Sequence, residues 1–137
     1  MISKTISWLE KNSSVTWLIV TFIAVTIFSF SSLSVQPSTE ESLLVLPIIY
    51  HFTIFFFLAF FLFIASVKGK YKRVFILVII MSLLYAGLDE LHQSFIPFRD
   101  ASLFDVYTDA AGIAIAFLLY YISIRYRTLT SAIYLKK

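Results

Sequence analysis

Four long apolar runs separated by short polar segments set the plan of this chain. Residues 15–33 carry no charge and are dense in Val, Ile and Phe, and residues 43–67 are as apolar and longer. Residues 74–92 are purely apolar as far as Leu88, and residues 102–124 become so after two aspartates near their start. A helix needs about 20 mostly apolar residues to cross a bilayer core, so each run predicts one transmembrane helix. The first run is longer than the apolar part of a usual signal peptide and no A-x-A-like site follows it, which predicts a retained helix. Ahead of it, Ile2, Ile6 and Leu9 fall on one face of a short helix within residues 1–13, the pattern of an interfacial anchor. The expected architecture is all-α and integral to the membrane: four transmembrane helices, a short interfacial loop between the third and fourth, and one domain over residues 1–137. No internal repeat or low-complexity tract breaks it.

Composition agrees with the pattern. The 137 residues are 60% hydrophobic and only 14% charged, and mean hydropathy is +0.90. A soluble domain of this length would have to expose most of that apolar surface. The net charge of +3 sits in short basic clusters beside apolar runs, which points away from nucleic acid and toward membrane lipids as partners. With no cysteine, disulfides and thiolate metal sites are excluded.

Lysine and arginine placement predicts the orientation. Lys4 and Lys11 precede the first span, and the connection at 34–42 holds Glu40 and Glu41 but no basic residue. The next connection, Lys68-Gly69-Lys70-Tyr71-Lys72-Arg73, is the most basic segment of the chain. Arg99 is alone in the third connection, and Arg125, Arg127, Lys136 and Lys137 follow the fourth span. Both termini are expected in the cytoplasm, with residues 89–109 facing outward.

That outward window holds Asp89, Glu90, His92, Gln93, Arg99, Asp100, Asp105 and Asp109, which include five of the eight carboxylates and one of the two histidines. A charge near the bilayer centre costs on the order of 3 kcal/mol on insertion scales, so such residues face protein or a watery space. His51 lies about two turns inside the outer end of the second helix, roughly 10 Å at 1.5 Å per residue. His51, Asp89, Glu90, His92, Gln93, Arg99, Asp105 and Asp109 can therefore share one layer of the outer leaflet. Asp89 and His92, Asp89 and Gln93, and Asp105 and Asp109 are spaced three or four apart, so each pair shares a helix face. Glu90 points elsewhere on its turn, toward water or the loop. Ser102 is placed to cap the fourth helix with Asp105 at its positive end, and Gly112 admits close approach of another backbone one turn below Asp109. No cluster of this kind is expected at the cytoplasmic end, where basic side chains can snorkel.

Plainer roles stand beside these. Asp105 and Asp109 could hold Arg99 and pin the loop, and His51 could be an interhelical hydrogen-bonding residue. Glu90 and Asp100 could be solvated. Serines and threonines of the first span are expected to bond their own helix backbone, and Tyr50, Tyr107, Tyr120 and Tyr121 to sit in interfacial belts.

The run Asp89-Glu90-Leu91-His92-Gln93-Ser94-Phe95-Ile96-Pro97-Phe98-Arg99, followed by Asp105 and Asp109-Ala110-Ala111-Gly112, resembles the VanZ-like membrane protein family. That family's pattern is D-E-x-x-Q-x-F-x-P-x-R-x-x-x-x-x-D-x-x-x-[ND]-x-x-G, after a helix with H-F-x-x-[FY]-x-x-L-A. The latter reads here His51-Phe52-Thr53-Ile54-Phe55-Phe56-Phe57-Leu58-Ala59, and the likeness covers roughly residues 45 to 120. Many members have a lysine just before the histidine, where this chain has Pro47-Ile48-Ile49-Tyr50. Many have glycine before the loop arginine, where this chain has Phe98, which implies a different loop conformation. The resemblance implies a small polytopic protein of the bacterial cytoplasmic membrane, in a family whose named member is associated with reduced susceptibility to teicoplanin. It supplies a compartment and a phenotype rather than a reaction.

Three functional expectations follow. In the first, the layer binds or modifies an amphiphilic envelope molecule, an envelope precursor lipid or a lipoglycopeptide. Asp89, His92, Asp105 and Asp109 would be its acid–base groups, and His51, Glu90, Gln93 and Arg99 its ligand contacts. Arg99 would take a phosphate or carboxylate, and Phe95, Ile96 and Phe98 a lipid chain. In the second, His51, Asp89, His92, Asp105 and Asp109 supply ligands for a divalent metal of a membrane hydrolase, although D-E-L-H-Q is not H-E-x-x-H and its spacing fixes no ligand set. In the third, the bundle is non-enzymatic and assembles with a partner protein or itself. A proton-coupled transporter fits less well, because the polar residues keep to one leaflet.

Overall fold

The computed structural model describes residues 2–34, 41–69, 73–99 and 101–134, with the backbone alone at 2–3, 41–44 and 134. Glu40, Lys70, Tyr71, Lys72, Asp100, Lys136, Lys137 and the side chain of Glu41 lie outside the described residues. The elements are α1 (Ile2–Lys11), α2 (Ser13–Ser31), α3 (Glu41–Val67), α4 (Val74–Gln93) and α5 (Leu103–Tyr134). No strand occurs among the described residues. α2 to α5 are each long and apolar enough to cross a membrane, close to the boundaries expected from the apolar runs. α5 differs in running ten residues past 124. No Pro or Gly interrupts 125–134, and Thr128, Thr130 and Ser131 return their hydroxyls to carbonyls one turn back.

Apolar side chains divide into two populations. Phe55, Phe63, Ile64, Ile113 and Tyr120 fill the interior, while Leu18, Phe22, Ile76, Leu88 and Leu118 face outward. A helix apolar on both faces suits a bundle whose surroundings are lipid. α3 packs most extensively against α5, and the sequence around Gly112 explains why. A Cβ at Gly112 would overlap the carbonyl oxygen of Phe52 and stand 3.1 Å from the backbone nitrogen of Phe56. The two helices thus meet backbone to backbone, as small residues permit in bilayers. Ala59 and Ala116, both fully buried, continue the small-residue seam.

α1 does more than lie at an interface. Ile6 and Leu9 join the core, and Thr16 donates its hydroxyl to the Leu9 carbonyl at 2.8 Å, fixing the turn into α2. Behind that turn lies a second polar assembly, which the sequence did not lead us to expect at this end. Arg127 grips Glu10 with both terminal nitrogens, each at 2.7 Å, and reaches Ser7 at 3.0 Å. Tyr120, expected in an interfacial belt, is instead fully buried. Its ring stacks on Phe63, its hydroxyl donates to Glu10 at 2.8 Å, and it accepts the Gly69 N–H at 3.1 Å. α1, the α3–α4 turn and α5 are thereby tied at one end, opposite residues 89–109.

Gly112→Ala should therefore separate α3 from α5 and destabilise the protein by about 1–3 kcal/mol, the usual range for overpacking. Gly87 has open space where a Cβ would go, so Gly87→Ala should be neutral or stabilising by up to about 1 kcal/mol. Thermal unfolding in detergent checks both, and equal midpoints for the two variants would contradict the seam.

Candidate functional site

At the other end, the polar residues assemble along two seams rather than around one centre. The first joins α4 to the C-terminus of α2. Asp89 and Gln93, one turn apart, are both buried, and Gln93 donates its amide to Asp89 Oδ2 at 3.0 Å. The Ser31 hydroxyl donates to Asp89 Oδ1 at 2.6 Å, so both carboxylate oxygens are engaged. His92 lies on the same seam but farther out, stacked on Phe28 with centroids 4.8 Å apart. Its Nε2 is 3.0 Å from the Ser32 hydroxyl. That hydroxyl already donates to the Phe28 carbonyl at 2.7 Å, so His92 must carry its proton on Nε2 and donate. Ser31 and Ser32 thus depart differently from the expectation of helix self-bonding. Ser32 bonds both its own helix and α4, and Ser31 bonds α4; Thr26 and Ser29 do bond back to their own helix.

Arg99 completes this seam from the loop. It lies in neither carboxylate's grasp, since the ion pairs among the described residues are His51–Asp109 and Arg127–Glu10. Instead Nε donates to the Leu33 carbonyl at 3.2 Å and Nη2 to the Phe30 carbonyl at 2.8 Å. Phe30 lies in the last turn of α2 and Leu33 just past it, where the negative end of the helix favours a guanidinium. A turn aims it: Arg99 N–H bonds the Ile96 carbonyl at 3.2 Å, Pro97 takes the first central position, and Phe98 has φ 63°. Proline followed by a positive-φ residue makes a type II turn, whose second central position suits glycine. Phe98 therefore occupies the backbone conformation that a glycine adopts freely, and the departure from the family pattern does not entail the different loop path expected from it.

The second seam joins α3 to α5. His51 and Asp109 are both buried, and Nδ1 stands 3.0 Å from Oδ1. With Asp109 ionised, the carboxylate only accepts, so Nδ1 would carry the shared hydrogen and Nε2 would be the ring nitrogen left to exchange a proton. His51 is held by Tyr50 edge-on and by the parallel Phe55 ring. Gly112 sets this distance, because it lies one turn from Asp109 and opposes the residue after His51. Glu90 bridges toward the start of α5: it is buried, not solvated, and accepts the Ser102 N–H. Ser102 caps α5 as its sequence position suggests, accepting the Phe104 N–H at 3.1 Å. Asp105 stands half-buried in the first turn.

Several polar atoms of this second seam lack partners. Asp109 Oδ2, Glu90 Oε2 and the Tyr50 hydroxyl are buried without a hydrogen bond. Asp105 has no side-chain bond or ion pair among the described residues. Leaving a buried acceptor unmet costs about 1–3 kcal/mol, more for a charged one. His51, Asp89, Glu90, Asp105 and Asp109 belong to the same end of the bundle. They do not converge as ligands, however. No three His, Asp or Glu among the described residues are arranged to hold a metal ion, because Asp89 and His92 belong to the first seam and His51 and Asp109 to the second.

With the geometry in place, comparison with known proteins adds one finding. The family model described as VanZ/LLP1 matches residues 4–124. No curated protein and no solved structure matches the chain.

The turn yields a test. Phe98 is 65% exposed, so replacing it sacrifices little packing. Phe98→Gly should leave the unfolding midpoint unchanged or raised, and Phe98→Val should lower stability by roughly 1 kcal/mol or more, because a β-branched residue is poorly suited to positive φ. Thermal unfolding in detergent reads both, and a destabilised glycine variant would refute the turn.

Proposed function

The chain belongs to the VanZ/LLP1 family, and on that premise we propose that it is an envelope protein of the bacterial cytoplasmic membrane. Both termini face the cytoplasm, and its polar layer lies in the outer leaflet, where it binds or modifies an amphiphilic envelope molecule. The reading extends to lowered susceptibility to teicoplanin and related lipoglycopeptides, whose polar heads and lipid tails are presented at that depth.

The observation that carries this reading is the buried His51–Asp109 pair with unpartnered polar atoms around it. The α2–α4 seam satisfies both oxygens of its carboxylate, whereas Asp109 and Glu90 each keep one carboxylate oxygen buried without a partner, which costs most for a group that can carry charge. His51 Nε2 can accept or return a proton while Asp109 holds the ring. Asp105 offers a second carboxylate nearer the surface. Phe95, Phe98, Leu103, Phe104 and Tyr107 are largely exposed beside it and form an apolar rim against which an acyl or polyprenyl chain can lie. Asp89, Gln93, His92 and Arg99 act as the frame, holding α2, α4 and the loop in register. A metal-assisted hydrolase finds less support, since its five candidate ligands divide between the seams.

Two experiments bear on this. A teicoplanin-sensitive Gram-positive host expressing the chain should show raised resistance that is lost in Asp105→Asn and Asp109→Asn at matched membrane levels. Full protection by both variants would remove the layer from the function. The chain's lack of cysteine permits single-cysteine labelling of intact cells. A membrane-impermeant maleimide should modify Phe95→Cys and spare Ser131→Cys, and the opposite pattern would reverse the orientation.

A further inference from the structure

α5 is longer than a bilayer crossing requires. From Asp109 to Arg127 it rises roughly 27 Å at 1.5 Å per residue, close to the ~30 Å of a hydrocarbon core. The helix then continues unbroken to Tyr134, past the last residue matched by the family model, 124. Its outward face carries Ile115, Leu119, Ile122, Tyr126, Leu129 and Ile133, all between 41% and 65% exposed. They are spaced alternately four and three apart, the a and d repeat of a coiled-coil seam. The stripe lies on the side of α5 away from Ala116, Tyr120 and Ile124, which are buried against the bundle.

Lipid covers the first half of this stripe as well as protein would, since acyl chains are as apolar as leucine. The second half differs. Tyr126, Leu129 and Ile133 stand at and beyond the level of Arg127, where apolar surface meets headgroups and water. The membrane surface does not cover them either, because no Pro or Gly within 125–134 bends the helix onto it. Every copy of the chain inserts in the same direction, so a second copy offers the same stripe in parallel. Arg127 is turned away into its bond with Glu10, which leaves Arg125 as the charge flanking the stripe. In a parallel pair Arg125 comes opposite Thr130 of the partner subunit, so no like charges meet among the described residues. Ser123 and Ala132, also flanking, are small enough for close approach.

We infer that α5 pairs with α5 of a second copy along this stripe, as a parallel coiled coil that emerges from the bilayer. The pairing is independent of amphiphile binding, whose residues lie toward the other end of α5.

The chain lacks cysteine, so disulfide cross-linking of the full protein in membranes of the expressing host tests the pairing. Under a mild oxidant, Leu129→Cys should give a product of twice the chain's mass, because like positions face each other across a parallel seam. Ser131→Cys, on the other side of the same turn, should cross-link more slowly by about tenfold or more. Adding Ile133→Glu to Leu129→Cys should slow that cross-link by about tenfold or more, because it sets two carboxylates against each other in the seam. Leu129 and Ile133 are both exposed in the single chain, so neither substitution disturbs the bundle's own packing. Equal rates at Leu129→Cys and Ser131→Cys would mark random collision and overturn the pairing. So would the absence of any Leu129→Cys product, or a rate indifferent to Ile133→Glu. A Leu129→Cys product of any other mass would give the stripe to a different protein and overturn the second copy as its occupant.

Discussion

The missing side chain at Gly112 is the constraint from which much of the arrangement follows. Because α5 presents hydrogen where any other residue would present carbon, its backbone lies against the carbonyl of Phe52 and the nitrogen of Phe56. Within a bilayer there is little hydrophobic drive to bring helices together, so such contacts and the polar bonds they permit dominate association. One turn from that contact, the same closeness brings His51 to 3.0 Å from Asp109. Packing and chemistry therefore depend on a single approach. A wider seam would leave a histidine and an aspartate facing hydrocarbon without each other.

Around that seam the polar residues do two kinds of work. Asp89, Gln93, His92 and Arg99 are consumed in joining α4 and the loop to the C-terminal end of α2, where two serines and the Phe30 and Leu33 carbonyls supply their partners. At the opposite end Glu10, Arg127 and Tyr120 perform the equivalent task for α1 and α5. A four-span bundle this small is thus pinned by hydrogen-bonded networks at both ends, with an aromatic interior of Phe63, Phe75, Phe117 and Tyr120 between them. Among the described residues, the carboxylate oxygens buried without a partner are Glu90 Oε2 and Asp109 Oδ2, and these two set the His51–Asp109 end of the α3–α5 seam apart from the rest of the polar framework.

Much of the fold was legible in the chain because a bilayer requires each span to be apolar along its whole length, whatever its neighbours. The end of the bundle at which residues 89–109 gather was legible for the same reason, as charge within an apolar run needs a local explanation. Ser102 as a cap and Gly112 as a point of approach could be read because both act over one or two turns of backbone. Partnerships were harder. Arg99 was open to Asp105 and Asp109 by sequence, and the type II turn at Pro97 and Phe98 sends it to α2 instead. Glu90 was expected near water or the loop and is buried against the start of α5. Glu10 and Arg127, 117 positions apart, offered no signal beyond the apolar face of α1 that carries Glu10 inward.

The sequence by itself determined the number of long apolar helices, the single helical class, the end of the bundle that holds residues 89–109 and the family pattern running through it. These are properties of one segment at a time, set by the cost of placing polar groups in hydrocarbon. Only the tertiary structure decided which carboxylates are engaged and which are left over. That outcome depends on the azimuth and spacing of four helices, and a side chain's partner lies on another helix whose rotation no local pattern specifies.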